Sequence, residues 1–479
     1  MNILFAVSEA TPFVKTGGLA DVAGALPTAL AMRGHLVYLV LPLYREIKEQ
    51  QSELKEIASV KVPLGKELVV GKIATLPSSH PNLKILLVRQ DDFFDRQFLY
   101  GPAGKEYPDN GKRFIFFCRA VLEAVAALNL EIDIYHAHDW QTALIPVYLK
   151  TLYKKLPHYQ GKSLFTIHNL GYQGLQKKEL MPLTGLGWEE FTFERLEFFD
   201  HLNLLKGGLV YADTLNTVSQ AYSREILLPE FGFGLDTVLQ QRRDDLFGIL
   251  NGVDYQEWDP AIDPFISNHF RLGRMAGKKI CKKKLLSAFN LPYENRLPLI
   301  GMVSRLVTQK GFDLILPLLK KVTGIKTQFI FLGTGDPEIE DALRDLARQN
   351  PTQIAFIRGY DNRLAHLLEA GSDIFLMPSH YEPCGLNQMY SLRYGTVPLV
   401  RAVGGLDDSI TSFNLETGNG NGFKFDDYTS EALEQTIKQA LNLYQNPQPW
   451  KKLRQNGMRD DFSWSKSASK YEELYKKIK

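Results

Sequence analysis

The stretch PSHYEPCGLNQ, residues 378–388, decides how the rest of the chain is interpreted. It follows the apolar run of residues 374–377, which is typical of a buried parallel strand. It precedes residues 388–394, which are predicted to form a helix closed by Gly395. Glu382 therefore lies between the carboxyl end of a strand and the amino end of a helix, where ligands bind in open α/β sheets. A solvated glutamate in an ordinary connector explains the same pattern, so other stretches must decide.

The overall composition indicates a globular protein of two domains. The chain has 479 residues, and a chain of this length usually folds around two or more hydrophobic cores. Its formal net charge is only +2 and no long block of basic residues occurs, so we expect no nucleic-acid partner. The lysines at 278–279 and 282–284 are interpreted as the solvated face of a helix.

Cysteine spacing and the chain start indicate the compartment. Cys118, Cys281 and Cys384 are far apart, so neither a disulfide framework nor a zinc site is predicted. The first residues enter a strand without the charged segment of a signal peptide. No apolar run approaches the length of a membrane span. We expect a cytoplasmic protein with no membrane partner.

A glycine pair follows the first predicted strand, in the segment KTGGLADV of residues 15–22. Paired glycines let backbone N–H groups approach a phosphate, and a helix that begins near Leu19 directs its amino end at the same point. Lys15 adds a positive charge. Gly-Gly turns are common, however, and the segment matches neither a Walker loop nor G-x-G-x-x-G. Pro27 is expected to kink or restart the helix.

Two further predicted strands end in polar residues. In the segment DIYHAHDW, residues 133–140, His136 and His138 would share one face of a strand that reaches so far. Their spacing with Asp139 matches no metal site, so no metal is predicted. His168-Asn169 repeats the arrangement at another strand end. A lone histidine there is more often structural, but two polar strand ends beside a glycine-rich loop favour a shared cleft.

The passage of residues 91–110 has no clear periodicity and is rich in aromatic residues, glycine and proline. So long a connection is either mobile or functional. Exposed rings of Phe94, Phe98 and Tyr100 would stack on sugars. The alternative is that these rings cap the core of the domain.

A domain boundary is predicted within residues 242–254, where a charged segment gives way to a short strand and an Asn-Gly turn. We assign one domain to residues 1–245, a second to residues 246–460, and a terminal helix to residues 461–479. Predicted strands and helices alternate in both halves, so the fold class is α/β.

Arg305 and Lys310 follow the predicted strand of residues 299–303. Together they would hold a diphosphate, the arginine through its planar fork of donors. A pair of solvated surface cations is the alternative. The chain contains no Asp-x-Asp pair to hold a divalent cation, so these two side chains would themselves neutralise a leaving diphosphate. If the strand-end loops of the two predicted domains faced each other across a cleft, they would enclose a nucleotide diphosphate sugar.

Four segments together resemble those of bacterial glycogen synthases and plant starch synthases. They are KTGGLADV at 15–22, HAHDW at 136–140, ILNGVD at 249–254 and YEPCGL at 381–386. The resemblance covers essentially the whole chain, and the pair KTGGL and EPCGL is highly specific. It implies a GT-B fold, in which two Rossmann-like doubly wound domains face a deep inter-domain cleft and the last helix crosses back to the first domain.

The same resemblance implies an activity. It is the retaining transfer of glucose from ADP-glucose, without a cofactor, to the non-reducing end of an α-1,4-glucan such as glycogen or starch. A member of this family is expected in the cytoplasm, or in the plastid stroma if it is a processed plant protein.

Roles for single residues follow from the resemblance. Arg305 and Lys310 resemble the diphosphate clamp, and Glu382 resembles the carboxylate beside the transferred glucose, which His168 orients. The further substrate or nucleotide positions are Lys15 and Gly18 for the phosphates, Asp21 and Asn251 in the quoted segments, Asp139 and Asn169 for glucose hydroxyls, Tyr360 for stacking on adenine, and the backbone of Cys384, Gly385 and Leu386 for the sugar.

The resemblance suggests a front-face path in which the leaving phosphate takes the proton of the acceptor and Glu382 stabilises positive charge. Glu382 as a covalent nucleophile is the competing mechanism. Asn387 stands where the bacterial relatives usually have threonine, and residues 203–208 are only loosely like their counterpart. Nucleobase preference and acceptor binding therefore stay open. The alternatives are an enzyme that uses UDP-glucose or a small acceptor, and a catalytically inactive relative that binds glucan or nucleotide.

Overall fold

A computed structural model describes residues 1–102, 105–321, 324 and 326–479. The chain forms two compact units. Unit 1 consists of Met1–Gly252 together with Trp464–Lys479, and unit 2 of Val253–Ser463. Buried hydrophobic clusters form separately within each unit.

Unit 1 is built on a nine-stranded sheet. Seven neighbouring strands are parallel, and a hairpin at one edge adds two antiparallel strands. In spatial order the strands are Leu246–Gly248, Thr214–Thr217, Lys162–Ile167, Ile134–His138, Asn2–Ala6, Leu36–Pro42, Leu83–Arg89, Glu67–Leu76 and Lys55–Leu64. A small antiparallel sheet joins Leu175–Lys177, His201–Asn203 and Glu197–Phe198.

The α-helices of unit 1 are Gly18–Met32, Arg45–Gln50, Asp91–Phe94, Asn110–Ala127, Leu144–Lys150, Met181–Thr184, Leu204–Tyr211, Gln220–Glu225, Asp236–Gln241 and Trp464–Ile478. The last of these returns to unit 1 after the chain has completed unit 2. Its Tyr471 and Tyr475 are fully buried in the core of unit 1, and Glu472 pairs with Arg33 of the first helix. This contact pattern explains why the amphipathic tail of the sequence is helical.

Unit 2 has a six-stranded sheet in which every pair is parallel. In spatial order its strands are Ile354–Arg358, Gln328–Gly333, Leu299–Val303, Ile374–Met377, Val397–Arg401 and Phe423–Phe425. Its α-helices include Ala276–Ala288, Phe312–Leu319, Pro337–Gln349, Asn362–Gly371, Asn387–Arg393, Gly404–Ser409, Ser430–Tyr444 and Pro447–Gly457. Apolar strands with helices between them require such a sheet, because each strand is buried on both faces.

Both sheets have the strand order of a Rossmann fold. In unit 2 the first strand in sequence, Leu299–Val303, lies between the second, Gln328–Gly333, and the fourth, Ile374–Met377. In unit 1 the first strand, Asn2–Ala6, lies likewise between Leu36–Pro42 and Ile134–His138. The strand order reverses at these points, and the loops that leave the carboxyl ends there diverge to form a crevice.

The change of unit follows Gly252, whereas the domain boundary was predicted after residue 245. The physical reason is the strand Leu246–Gly248, which pairs with Thr214–Thr217 and so completes the sheet of unit 1. The return to unit 1 comes at Trp464, whose ring and backbone pack against Gly252.

Two local expectations are wrong in part. Pro27 does not restart its helix, since Gly18–Met32 is continuous with Pro27 buried inside it. Of the five lysines at 278–279 and 282–284, Lys278 and Lys282 are buried rather than solvated, whereas the other three are exposed. The Lys278 ammonium donates to the carbonyl of Ala370 and the hydroxyl of Thr396, and burial lowers its pKa to about 7.

The aromatic passage of residues 91–110 contributes mainly to the core. Phe94 is fully buried, and Tyr100 is partly buried with its hydroxyl bonded to Ser8. Phe98 is 40% exposed and alone of the three could meet a ligand. Residues 103 and 104 of this passage lie outside the described residues.

Candidate active site

Two loops of unit 2 are tied together at the point where the strand order reverses. They follow the adjacent strands Leu299–Val303 and Ile374–Met377. The N–H of His380 donates to the carbonyl of Gln309 at 2.8 Å, and the side-chain amide of Gln309 donates to the carbonyl of Tyr381 at 3.2 Å. The position of one loop therefore determines that of the other.

Gly311 allows this close approach. Its φ of +82° is in the left-handed region, and a Cβ there would lie 2.2 Å from the carbonyl oxygen of Pro378. Any side chain would therefore push the loops apart. Gly311 ends the short turn Thr308–Lys310, so its conformation places Lys310 beside the second loop.

Lys310 and Glu382 form an ion pair between the two loops. The lysine Nζ lies 2.6 Å from Oε2 of Glu382, and the hydroxyl of Ser379 donates to the same oxygen at 3.0 Å. Glu382 is only 7% exposed, so the surroundings screen this pair weakly. Both donors use one oxygen, and among the described residues nothing bonds to the other, Oε1.

Arg305 places a second cation at the same strand end. Its side chain is exposed, and its Nη2 is 3.4 Å from Oε1 of Gln309, which is a long hydrogen bond. A guanidinium presents a planar fork of donors whose geometry matches a phosphate. With Lys310 and Glu382 it leaves the cluster one net positive charge.

The segment Cys384-Gly385-Leu386 is fixed by the side chain of Gln388. The amide nitrogen of this fully buried residue lies 3.0 Å from the carbonyl of Cys384 and 3.1 Å from that of Gly385. Among the described residues, no group accepts from the N–H of Gly385 or Leu386. Two backbone donors therefore remain for a ligand beside Glu382.

A second glycine pair supports the Glu382 loop from the other side. The N–H of Gly405, at the start of the helix Gly404–Ser409, donates to the carbonyls of Glu382 at 3.2 Å and Pro383 at 3.1 Å. A Cβ on Gly405 would lie 2.1 Å from the carbonyl oxygen of Cys384. The loop lies directly on the helix backbone and has no room to shift.

Tyr360 follows Ile354–Arg358, the outermost strand of the sheet, and so lies on the side where the carboxyl ends of the strands and the two loops are. Its ring is 63% exposed, and its hydroxyl donates to the side chain of Asn362 at 3.0 Å. Two strand spacings, roughly 10 Å, separate it from the Lys310 loop. An exposed ring at that distance suits the base of a nucleotide whose phosphates lie at Lys310.

Asp139, His168 and Asn169 lie together at the reversal point of unit 1. They follow the adjacent strands Ile134–His138 and Lys162–Ile167. The carboxylate of Asp139 accepts the N–H of His168 at 2.7 Å and also that of Asn169. Burial raises the pKa of Asp139 to about 7, although both hydrogen bonds oppose the rise.

The histidines behind this cluster form a chain of contacts. Nε2 of His168 is 3.0 Å from Nδ1 of His138, whose ring lies against that of His136 at 4.0 Å between centroids. His136 bonds to the hydroxyls of Thr166 at 2.6 Å and Tyr475 at 2.8 Å. Burial lowers the pKa of all three rings, to about 3 for His168, so the rings are neutral at pH 7.

The amino end of the first helix and the loop before it contain more negative than positive charge. Lys15 pairs with Asp21 at 2.6 Å, and the buried carboxylate of Glu9 accepts from the hydroxyl of Thr16 at 2.8 Å. Burial raises the pKa of both acids. One lysine with two carboxylates does not favour a phosphate by charge, so phosphate binding there would depend on the helix amino end at Gly18.

Asn251 is buried next to Gly252, where the segment Met1–Gly252 of unit 1 ends. It is 4% exposed, and its side-chain oxygen has no hydrogen-bond partner among the described residues. A buried unpaired acceptor is costly unless a ligand or water satisfies it. This feature is consistent with a place in a binding site.

The structure brings the predicted residues into three groups. Arg305, Lys310, Glu382 and residues 384–386 are together in unit 2. Asp139, His168 and Asn169 are together in unit 1, where Lys15, just before the first helix, also pairs with Asp21 in the first turn of that helix, which begins at Gly18. Within the described ranges, no three His, Cys, Asp or Glu side chains are placed to hold a metal ion, and no helix is long and apolar enough to cross a membrane.

Sequence reasoning missed Glu9, Gln309 and Tyr475, which hold these groups in place. Glu9 directly follows the first strand and could have been found by its position. Gln309 lies between Arg305 and Lys310 in sequence, but its partner is 72 residues away, and Tyr475 is 339 residues from His136. No local pattern signals such contacts.

Two family models match the chain in tandem. The model described as starch synthase catalytic domain matches residues 2–241, and that described as glycosyl transferases group 1 matches residues 287–458. The first falls in unit 1 and the second in unit 2.

Close relatives match along their whole length. Glycogen synthase of Koribacter versatilis is 48% identical over all of this chain and 98% of its own, and that of Anaeromyxobacter sp. is 46% identical over all of this chain and 99% of its own. The catalytic domain of starch synthase IV from Arabidopsis thaliana, solved bound to ADP and acarbose, superposes with a TM-score of 0.91 at 32% identity, covering all of this chain and 99% of that one.

The two Rossmann-type units, the tandem family models and the starch synthase IV match together define a glycosyltransferase of the GT-B class. The match to the sucrose-phosphate synthase of Thermosynechococcus elongatus, at 16% identity and a TM-score of 0.63, shows likeness of fold alone. The chain belongs to the glycogen synthase and starch synthase family.

Proposed function

We propose that this chain is a retaining glucosyltransferase that moves glucose from ADP-glucose to the non-reducing end of an α-1,4-glucan. The observation that carries the proposal is the Lys310–Glu382 pair at the reversal point of unit 2, with Arg305 beside it. Two cations and a buried carboxylate are the charges needed where a sugar leaves a diphosphate.

In this proposal unit 2 binds the donor. Arg305 and Lys310 bind the diphosphate, and the N–H groups of Gly385 and Leu386 donate to the sugar. The exposed ring of Tyr360 stacks on adenine. The starch synthase IV relative was solved with ADP, which supports an adenine nucleotide here.

Glu382 acts through its charge. Bond breaking at the anomeric carbon leaves positive charge on the sugar, which a nearby carboxylate stabilises. Its Oε2 is already engaged by Lys310 and Ser379, which reduces its strength as a nucleophile. We therefore favour the front-face path. A phosphate oxygen of the leaving ADP takes the proton of the acceptor hydroxyl, whose oxygen then bonds to the anomeric carbon on the same face.

In unit 1, His168, Asp139 and Asn169 are proposed to bind hydroxyls of the glucose that is transferred, and Asn251 a polar group of the substrate. The loop with Lys15 and the first helical turn with Gly18 and Asp21 are proposed to approach the phosphates. The acceptor is assigned to unit 1 and taken to be glycogen or a starch-like glucan. The acarbose bound by the starch synthase IV relative supports an oligosaccharide ligand.

A comparison of donors tests the proposal. Initial rates are measured with glycogen and either ADP-glucose or UDP-glucose at equal concentrations. ADP-glucose is expected to be better by about tenfold or more, because a site that bonds one base leaves its groups unpaired with the other. Equal or faster transfer from UDP-glucose would overturn the choice of donor. Transfer to glucose but not to glycogen would overturn the choice of acceptor.

A further inference from the structure

His138 is a buried ring whose role the family resemblance does not assign. Its Nδ1 lies 3.0 Å from Nε2 of His168, and its backbone N–H and carbonyl both bond to the hydroxyl of Thr142. Among the described residues, its Nε2 has no hydrogen-bond partner. The single side-chain hydrogen bond of His138 is thus directed at the ring proposed to orient the sugar.

Both rings are neutral, so each carries one N–H. The bond between them requires one ring to donate and the other to accept. Either Nδ1–H of His138 donates to His168, or Nε2–H of His168 donates to His138. The two arrangements differ in whether Nε2 of His138 and Nδ1 of His168, the nitrogens outside this bond, carry a proton.

The surroundings of His138 favour the first arrangement. In the second, the proton of His138 would be on its Nε2, which is buried without an acceptor, and orphaned buried N–H groups are rarer than orphaned acceptors. The neighbouring rings of Phe5 and His136 do not relieve this. They lie tilted by 39° and 37° over the ring of His138 and so present no face to an in-plane N–H.

From this we infer that His138 is a positioning residue, which donates to Nε2 of His168 and thereby holds His168 as the Nδ1–H tautomer. His168 then offers its substrate a hydrogen-bond donor and no acceptor on the ring. Its sugar contact must be an oxygen lone pair. This inference rests on the proposed function for the role of His168, but the tautomer itself does not depend on it.

The hydrogen bonds of His136 leave neither of its ring nitrogens for His138. The hydroxyl of Thr166 donates to Oδ1 of Asn216 at 2.5 Å, so it accepts from Nε2–H of His136. Nδ1 of His136 then accepts from the hydroxyl of Tyr475. His136 therefore has both nitrogens occupied and cannot supply the missing partner of His138.

The direct test is nitrogen NMR of the full-length protein labelled with ¹⁵N at histidine, of which the chain has ten. The His168 signals are assigned by their absence in His168→Gln. We expect a protonated Nδ1 and an unprotonated Nε2 for His168 at pH 7. A protonated Nε2 would overturn the inference, whether or not the protein transfers glucose.

Three variants give the functional readout. His138→Asn keeps an amide N–H near the position of Nδ1, whereas His138→Leu removes it and Phe5→Leu loosens the packing alone. We expect kcat/KM to fall by about 10- to 100-fold in His138→Leu and to recover largely in His138→Asn. Phe5→Leu is expected to lower the melting temperature and leave the His168 tautomer unchanged.

An outcome in which His138→Asn and His138→Leu lose equal activity, with the His168 spectrum unaltered in both, would contradict the inference. Absence of any glucosyl transfer by the wild-type protein would contradict the proposed function and leave the NMR result to decide the tautomer. If His138→Leu does not fold, the wild-type spectrum alone decides.

Discussion

Glu382 and Lys310 depend on each other, so substitution of either affects both. Glu382→Ala removes the carboxylate and releases the ammonium, which lies 2.6 Å from it. We predict that turnover falls by about a hundredfold or more while the affinity for ADP is kept or increased. Steady-state rates and calorimetric titration with ADP measure the two effects separately.

Lys310→Ala is the matched variant. It removes a phosphate partner and leaves Glu382 buried without its cation, so both ADP affinity and rate should decrease. Unchanged ADP affinity in Lys310→Ala, or a wild-type rate in Glu382→Ala, would contradict the assigned roles.

Asp139 gives a pH-dependent prediction. Burial raises its pKa to about 7, so between about pH 4 and pH 7 the folded protein binds more protons than the unfolded chain. The contribution of this group to the free energy of unfolding therefore decreases as pH rises through that window. Asp139→Asn keeps an acceptor for the N–H of His168 without a charge, and asparagine tolerates the φ of 55° found there.

The stability of Asp139→Asn relative to wild type should therefore increase from pH 5 to pH 8, by about 1 kcal/mol or more. Denaturant unfolding at the two pH values measures it. Asp244→Asn, at a carboxylate that is 95% exposed, is the control. An equal difference between Asp139→Asn and wild type at both pH values would refute the prediction.

Among the elements, the helix Gly404–Ser409 supports the Glu382 loop at backbone contact distance. In Gly405→Ala the new Cβ would meet backbone atoms of Cys384, at 2.1 Å from its carbonyl oxygen. The loop that holds Glu382 must then move. We predict a loss of about 1–3 kcal/mol in stability and a decrease in turnover.

The control is Gly324→Ala, where a Cβ meets no atom of the described residues within 4 Å. It should change neither stability nor rate by a comparable amount. Thermal melts and initial rates of the two variants make the comparison. Full activity in Gly405→Ala would show that the loop position is not restricted in this way.

The sequence predicted the parallel strands well, because runs such as 299–303 and 374–377 are apolar throughout and end in polar loops. It did not predict the antiparallel hairpin of Lys55–Leu64 and Glu67–Leu76, whose strands have many exposed residues. Lys278 was misjudged because its partners, near Ala370 and Thr396, are supplied by distant parts of the chain. Pattern reasoning detects local periodicity but not such long-range contacts.

At the scale of the site, the sequence supplied the residues but not their pairing. Arg305, Lys310 and Glu382 were predicted from loop position and resemblance. The direct bond between Lys310 and Glu382 was not, because it depends on the register of two strands and on the left-handed conformation of Gly311. Neither can be read from composition or spacing.

On the scale of the whole molecule, each unit has its own buried core. Unit 2 is continuous in sequence, and its two clusters of buried side chains come only from residues within Val253–Ser463. A fragment of residues 253–463 is therefore expected to fold and to bind ADP through Arg305, Lys310 and Tyr360. Circular dichroism and calorimetry of the fragment check this prediction.

The Lys310→Ala form of the same fragment is the control, and it should bind ADP more weakly. A folded fragment with no affinity for ADP would contradict the assignment of the donor to unit 2. An unfolded fragment would contradict its autonomy.

The stereochemistry of the product tests the whole account most directly. The protein is given ADP-α-glucose labelled with ¹³C at the anomeric carbon and maltoheptaose, and the product is examined by NMR, with Glu382→Ala as the inactive control. The account predicts a labelled glucose joined by an α-1,4 bond at the non-reducing end of the acceptor. A β-linked product, or release of labelled free glucose without transfer, would contradict it.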